Sequence, residues 1–494
     1  MGEFRFRIPE FWELETRHAR TVHVVGIEGI PRPSSVNRVD DLLIVKRNQN
    51  ESGKTYIAYP FTRRGELTIC TGTLPESDSV YDLVVELARG TINRLRNQTS
   101  IWEEGGLAIP ERVRVLTRQA TSKLGRAITG RNEQRHESAR EALEFAIEAI
   151  FALSEQFGKD IAEFRVSENA IPTFWMATSH QQDGAIESQF DIVAVQPEII
   201  LNESNSLPSE RLIVGPLLDA SPLSTFSKKN EDFEAGRNRL VEQCQQLLES
   251  PLDNISLIHA ACGLNGIGHK NLSYRQQIQL TSELIGMIDD SVHDVPAMIS
   301  FDYPWAERIA WSVGGIHPLQ IADDIMRNGA RLSFIGLDVN LDYWPNGSVA
   351  RDPLQWIDVI DLWSQLGLPL VICLRVPQPI VLIEPNTENL EFRTNHDENV
   401  TIAIESDQTT GDEDTVTFAG NSVRENLTDN QRLNLLKTIL PMIVARPGVH
   451  GVYWRQWSDD EDSRFPDAGL VNTAGAAKPT LDVIRELRTN TLQR

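Results

Sequence analysis

The chain has 494 residues, 40% hydrophobic and 24% charged, a globular composition that excludes disorder and suits two domains, one of them barrel-sized. A formal net charge of −23 sets an acidic surface against any polyanion, which argues against nucleic acid as a partner and leaves a neutral polysaccharide unpenalised. No apolar stretch is long enough to cross a bilayer, and the charged start Met1-Gly-Glu-Phe-Arg-Phe-Arg lacks a signal-peptide core, so the sequence predicts no membrane partner and a cytoplasmic location.

In chain order, the first 126 residues have a β texture. Val22-His-Val-Val, Leu42-Leu-Ile-Val, Lys54-Thr-Tyr-Ile-Ala-Tyr and Glu66-Leu-Thr-Ile-Cys-Thr are short β-branched and aromatic runs between Gly, Pro, Asn and Asp turns. Their spacing predicts an antiparallel sandwich. Within it a helix is expected to start at Val80-Tyr-Asp-Leu and to extend as far as Asn97. Residues 1–130 are therefore assigned to a β-rich N-terminal domain, which can be either a carbohydrate-binding-like module or a structural cap on the C-terminal half. Residues 131–165 form a linking amphipathic helix, with Ala139, Leu143, Ala146, Ile150 and Leu153 as its apolar stripe and Glu141, Glu144 and Glu148 off it.

From residue 166 to 490, apolar runs alternate with helical patterns. Candidate strands begin near Pro172-Thr-Phe-Trp-Met-Ala-Thr178 and continue at Phe190-Asp-Ile-Val-Ala-Val, Arg211-Leu-Ile-Val, Ile255 to Ala261, and Val295-Pro-Ala-Met-Ile-Ser-Phe-Asp302. Ser273 with Gln276 forms a capping box for the helix before the last of these. A further run, Gly367-Leu-Pro-Leu-Val-Ile-Cys-Leu-Arg375, is apolar without alternation, as strands covered on both faces are, and Phe334-Ile-Gly-Leu-Asp-Val-Asn340 has the same strand character. A helix from Pro353 to Leu366 separates them, and another from Gln431 to Val444 leads to Gly448-Val-His-Gly-Val-Tyr-Trp-Arg-Gln-Trp457. This alternation predicts an α/β fold, a (β/α)8 TIM barrel. An acidic insertion at 384–430 interrupts it, with two alternating runs that suggest a hairpin. Its Gly411-Asp-Glu-Asp414 lacks regular calcium-loop spacing, so no metal is expected. Cys70, Cys244, Cys262 and Cys373 lie far apart, and buried reduced thiols are expected.

Taken with Tyr453-Trp-Arg-Gln-Trp457 and the closing Gly469-Leu-Val-Asn-Thr-Ala-Gly-Ala-Ala-Lys-Pro479, the strand motifs at Phe334 and Val371 give the C-terminal half a resemblance to family 10 of the glycoside hydrolases, the endo-1,4-β-xylanases. The resemblance implies a (β/α)8 barrel, a carbohydrate partner (a β-glycan such as xylan or its oligosaccharides) and no cofactor. It also implies a Trp in the sugar groove at Trp454. On the same alignment Cys373 stands at the family's nucleophilic Glu and Gly263 at its acid/base Glu, so the usual catalytic pair is missing and activity as a hydrolase is uncertain.

Retaining hydrolysis needs two carboxyls about 5 Å apart. Asp302, Glu307, Asp338 and Asp459 all lie at or beyond expected C-terminal strand ends, where barrel enzymes gather their chemistry. Glu307 and Asp338 are the expected catalytic pair if one exists, with capping or ion pairing to Arg308, Arg331 or Arg375 as the structural alternative. Trp457, Tyr303, Trp305 and Asn340, with Trp454, are the expected substrate-binding residues, since flat rings stack on pyranose faces. Three functions are compatible with this reading: a glycan-binding barrel without hydrolysis, a glycosidase with relocated carboxylates, or a structural protein that keeps the scaffold.

Overall fold

The computed structural model describes residues 2–12, 14, 16–77, 79–167, 174–179, 190–202, 211–220, 232–250, 254–264, 272–291, 295–311, 315–344, 347–377, 427–459, 461–462 and 464–492. The acidic insertion at 384–430 lies outside them up to residue 426.

Alternation builds the first strand. In β1 (Gly2–Arg7) Phe4 and Phe6 are buried, while Glu3, Arg5 and Arg7 reach solvent. The chain continues through α1 (Thr16–Thr21), β2 (His23–Gly26), β3 (Pro31–Arg32), β4 (Ser34–Val39), β5 (Leu42–Arg47), β6 (Gly53–Phe61), β7 (Gly65–Cys70) and β8 (Tyr81–Asp82). These strands form two four-stranded sheets, ordered β4-β5-β1-β8 and β3-β2-β6-β7. All pairings are antiparallel except β1 with β8, which is parallel, so the first sheet departs from a purely antiparallel plan.

Three helices come next: α2 (Leu83–Glu104), α3 (Glu111–Thr129) and α4 (Asn132–Ser167). The β texture expected to residue 126 ends at β8. Sequence periodicity does not announce α3, because it buries only Val113, Ala120 and Ala127, a one-residue stripe in a polar helix. The stripe expected on α4 is buried, and Ala142, Ile147, Ala149 and Phe151 are buried with it, because α2, α3 and α10 (Asp429–Ala445) all pack against this helix. Its off-stripe acids tie it to the β6–β7 turn: Arg64 donates to both Glu148 oxygens at 2.9 Å, and Thr62 donates to Glu144.

The rest is a closed barrel of eight parallel strands. They are β9 (Trp175–Ser179), β10 (Ile192–Val195), β11 (Arg211–Val214), β13 (Ile255–Cys262), β14 (Ala297–Asp302), β15 (Phe334–Asn340), β16 (Leu370–Arg375) and β17 (Val449–Trp454); a two-residue strand, β12 (Leu218–Asp219), adds to the edge of β13. Parallel pairing of β17 with β9 closes the ring. The strands are joined by α5 (Pro197–Asn202), α6 (Phe233–Glu249), α7 (Tyr274–Asp289), α8 (Pro318–Arg327), α9 (Pro353–Ser364) and α10, and α11 (Pro479–Leu487) comes after the last strand. Capping boxes at Ser273 with Gln276 and at Thr428 with Gln431 start α7 and α10.

Trp175, Ile192, Ile213, Leu257, Met298 and Val371 fill the barrel interior. Small residues make room for them: a Cβ on Gly451 would sit 2.6 Å from the Trp175 ring, and one on Gly336 would sit 2.6 Å from the Ser300 Cβ. The N-terminal sheets are bonded directly to the barrel. Thr68 N–H donates to the Ala350 carbonyl at 2.7 Å, and Arg94 pairs with the buried Asp352 that caps α9. No described helix is long and apolar enough to cross a membrane.

Candidate functional site

Side chains alternate along each barrel strand, so the interior positions of β14 run Met298, Ser300, Asp302, and those of β15 run Gly336, Asp338, Asn340. Asp302 and Asp338 are register partners on adjacent strands and so share the interior face. Cys373 is in turn the register partner of Asp338 and of Tyr453. Above them, Arg375 ends β16 and Arg455 lies just past the end of β17.

Asp338, 2% exposed, is the centre of a buried network. Arg455 Nη1 donates to its Oδ1 at 2.6 Å, and the Ser300 hydroxyl donates to its Oδ2. Because Ser300 commits its proton to Asp338, its oxygen is left to accept from His259 Nε2, 3.0 Å away. Burial, and then the Arg455 guanidinium, hold the His259 ring neutral, its pKa pushed down to about 3. Burial opposes charge on Asp338, yet Arg455 and the Ser300 hydroxyl more than offset it and hold the carboxyl below its ordinary value.

Asp302 is tuned the other way. Burial first, then the negative charges of Asp338 and Asp219, push its carboxyl up to about 7. Two neighbouring carboxyls are thereby driven apart, one ionised and one carrying its proton near neutrality. The folded chain thus holds a proton that the unfolded chain has released, so stability falls as pH rises from about 4 to about 7. Asp302→Asn is expected to flatten this slope and to be more stable than the parent at about pH 8; urea midpoints at about pH 5 and about pH 8 test it, and an unchanged slope in the variant would remove Asp302 as its source.

A pocket of about 440 Å³ opens at this end of the barrel. Its wall carries the guanidiniums of Arg239, Arg375, Arg455 and Arg464 together with the carboxylates of Asp219, Glu461 and Asp462, and Tyr453 is among the lining residues. Arg464 bridges the wall, donating to Asp219 at 2.8 Å and to both oxygens of Asp462. Glu461 accepts from Ser179 Oγ at 2.6 Å and from Trp457 N–H at 2.9 Å. Among the residues expected at the site, Asn340 is buried, and its Oδ1 accepts from Arg375 at 3.5 Å.

The expected pair Glu307 and Asp338 have separate surroundings. Glu307 begins a short 3₁₀ turn, Glu307–Trp311, and is buried beside Arg351 at 3.8 Å; burial pushes its carboxyl up. Arg351 also stacks on Trp305 and Tyr56, so this charge belongs to the joint with the N-terminal sheets. Asp459 accepts from Lys478 Nζ at 2.8 Å and from Gly469 N–H, clasping the loop after β17. Cys373 is buried, which pushes its thiol well above its ordinary value, so no thiolate stands at that position. Gly263 lies just beyond β13 with φ +71°, a backbone that suits glycine and presents no side chain. All four cysteines are buried and free.

Of the aromatic residues expected on the sugar path, Trp454 is 1% exposed and donates from Nε1 to the Ala468 carbonyl at 3.3 Å. Tyr303 is buried and its hydroxyl accepts from Arg308 at 2.8 Å. Trp305 donates to the Gln355 carbonyl and meets Trp356 edge to face. Trp457 alone of these four is both partly exposed and bonded, through its backbone N–H rather than its indole, to the pocket residue Glu461. Sequence reasoning missed Arg455, Arg464, Asp219, Ser300 and His259. Arg455 was open to detection by its offset of two from Tyr453 along β17; Arg464 lies in a loop, where no periodicity marks it.

No protein-family model matches the chain, and no curated protein sequence matches it. Solved structures of xylanases, several of them of glycoside hydrolase family 10, are similar to the chain at low identity. Xylanase 10B from Thermotoga maritima is 10% identical with a TM-score of 0.42, covering 68% of this chain and 99% of its own. Xylanase 10B from Thermotoga petrophila, in complex with xylobiose, is 9% identical with a TM-score of 0.41, covering 67% and 96%. The family 10 enzyme from Paenibacillus barcinonensis is 11% identical with a TM-score of 0.42, covering 66% and 98%.

Proposed function

We propose that the barrel recognises a β-linked oligosaccharide, such as a fragment of xylan, at its mouth and does not hydrolyse it. The observation that carries this is the wall of the mouth pocket, where guanidiniums and carboxylates stand together. A sugar hydroxyl both donates and accepts, so it satisfies such a wall better than an apolar or singly charged ligand does. The volume is within the range of small-molecule sites, roughly 300–1,000 Å³. Trp457 is partly exposed and bonded through its backbone N–H to the pocket residue Glu461, and Tyr453 lines the pocket.

Non-hydrolysis is the consequence of the two positions that the sequence resemblance assigns to catalysis. A buried neutral thiol at Cys373 is a poor nucleophile, and Gly263 has no proton to give. Titration calorimetry with xylotriose, with the same mixture chromatographed after prolonged incubation, tests both halves. Binding is expected without shortening of the sugar.

A second reading rests on Asp302 and Asp338, the carboxyl pair that replaces Glu307 and Asp338 as neighbours on one face. One protonated and one ionised carboxyl are the requirements of a glycosidase. Against it, Asp338 is already engaged by Arg455 and Ser300. Sugar cleavage that vanishes in Asp302→Asn would establish this second function and end the first.

A further inference from the structure

Four guanidiniums line the mouth pocket, those of Arg239, Arg375, Arg455 and Arg464, and the needs of the last three are met unequally. Arg455 has Asp338 at 2.6 Å, and Arg464 has Asp219 and both Asp462 oxygens. Arg375 is left short. It is 7% exposed, yet among the described residues its Nε has no hydrogen-bond partner and Nη1 makes only the 3.5 Å bond to Asn340. Its ion pair with Asp462 is long, 3.7 Å, and uses the oxygen that Arg464 already holds at 2.8 Å. A buried guanidinium with open donors is costly unless something fills them.

The surroundings of Arg375 orient it for one kind of partner. Its guanidinium carbon lies 4.3 Å from the centre of the Phe465 ring, and stacking of this kind leaves the edge donors free. A flat two-oxygen anion matches that edge with parallel hydrogen bonds. Against the four guanidiniums of the pocket stand three carboxylates, Asp219, Glu461 and Asp462, so a single negative charge balances its wall, which a singly charged planar anion supplies. Burial and the neighbouring Arg455 both disfavour charge on Arg375, a cost that an added anion would relieve.

We propose that the mouth pocket takes a glycan bearing a carboxylated sugar, a uronic acid, whose carboxylate seats on the edge of Arg375. This rests on the glycan-binding function proposed above and names the sugar class that occupies the site.

The test is calorimetry on the full chain with a neutral xylo-oligosaccharide, the same oligosaccharide carrying a glucuronic acid branch, and inorganic phosphate. The acidic sugar is expected to bind at least about tenfold tighter than the neutral one, the worth of a charge-assisted hydrogen-bonded pair. Arg375→Gln should bring that ratio to about one, and Arg375→Lys, which keeps the charge but not the fork, should recover only part of it. Thermal unfolding of each variant confirms that it is folded. Equal binding of the two sugars by the parent overturns the uronic acid assignment and leaves glycan binding intact. Failure of both sugars to bind overturns glycan binding itself. Phosphate binding with no preference for the acidic sugar also overturns the assignment, since the site would then be one for a free anion.

Discussion

Arg455→Met is expected to lower the unfolding free energy by about 3–5 kcal/mol, because it strands the buried Asp338 carboxylate without its counter-ion. Asp338 is 2% exposed and the Arg455 side chain 8% exposed, so water does little to screen or replace the pair. The sign of the pH dependence separates this cause from simple loss of packing. In the parent, Asp338 has a lowered pKa, and its contribution is lost only as pH falls below the ordinary value of 3.8. Without Arg455 the buried carboxyl would prefer its proton, so the variant should lose stability as pH rises through the carboxylate range and suffer least in acid. Replacing both partners, Arg455→Met with Asp338→Leu, should recover most of the loss, since two apolar groups leave no buried charge behind. Urea unfolding of the two single variants and the double variant measures this. A double variant as unstable as the sum of the singles would mean that the pair is not the unit that matters.

The barrel was legible because its strands are buried on both faces. Runs such as Leu370–Arg375 and Phe334–Asn340 read as strands since covered faces select apolar residues, and α7 shows its capping box in the sequence. The β1 strand was equally open to reading, through Phe4 and Phe6 alternating with charge, but its Arg and Glu content masks it as a polar terminus. The site was legible in place and less so in membership. Position at strand ends picked out Asp302, Asp338 and Asn340, and alternation along β14 and β15 puts them on one face, because period two fixes which face a residue shares. It could not separate Glu307, since after a strand ends the chain turns: Glu307 lies on a 3₁₀ turn whose direction no alternation predicts. Partners such as Arg464 come from loops, and they become visible only once the strands are closed into a ring.

Trp454 and Trp457 lie three residues apart, and opposite consequences are expected from removing them. Trp454→Ala should cost about 3–5 kcal/mol of stability, the effect of emptying a fully buried indole site. Its ring is 1% exposed at the end of β17, and its Nε1–H is bonded to the Ala468 carbonyl, so truncation also leaves that buried acceptor unpaired. At temperatures where the variant stays folded, its affinity for a xylo-oligosaccharide should be nearly unchanged. Trp457→Ala should show the reverse, with a small loss of stability from a half-buried ring that meets Phe190 edge to face, and a marked loss of sugar affinity. The sequence motif leads to the expectation of Trp454 as the sugar platform, whereas exposure favours Trp457, and the two variants decide between them. Strong sugar binding lost in a stable Trp454→Ala protein would mean that this ring leaves the core to meet its ligand, and the packing described for the top of β17 would not be the binding state.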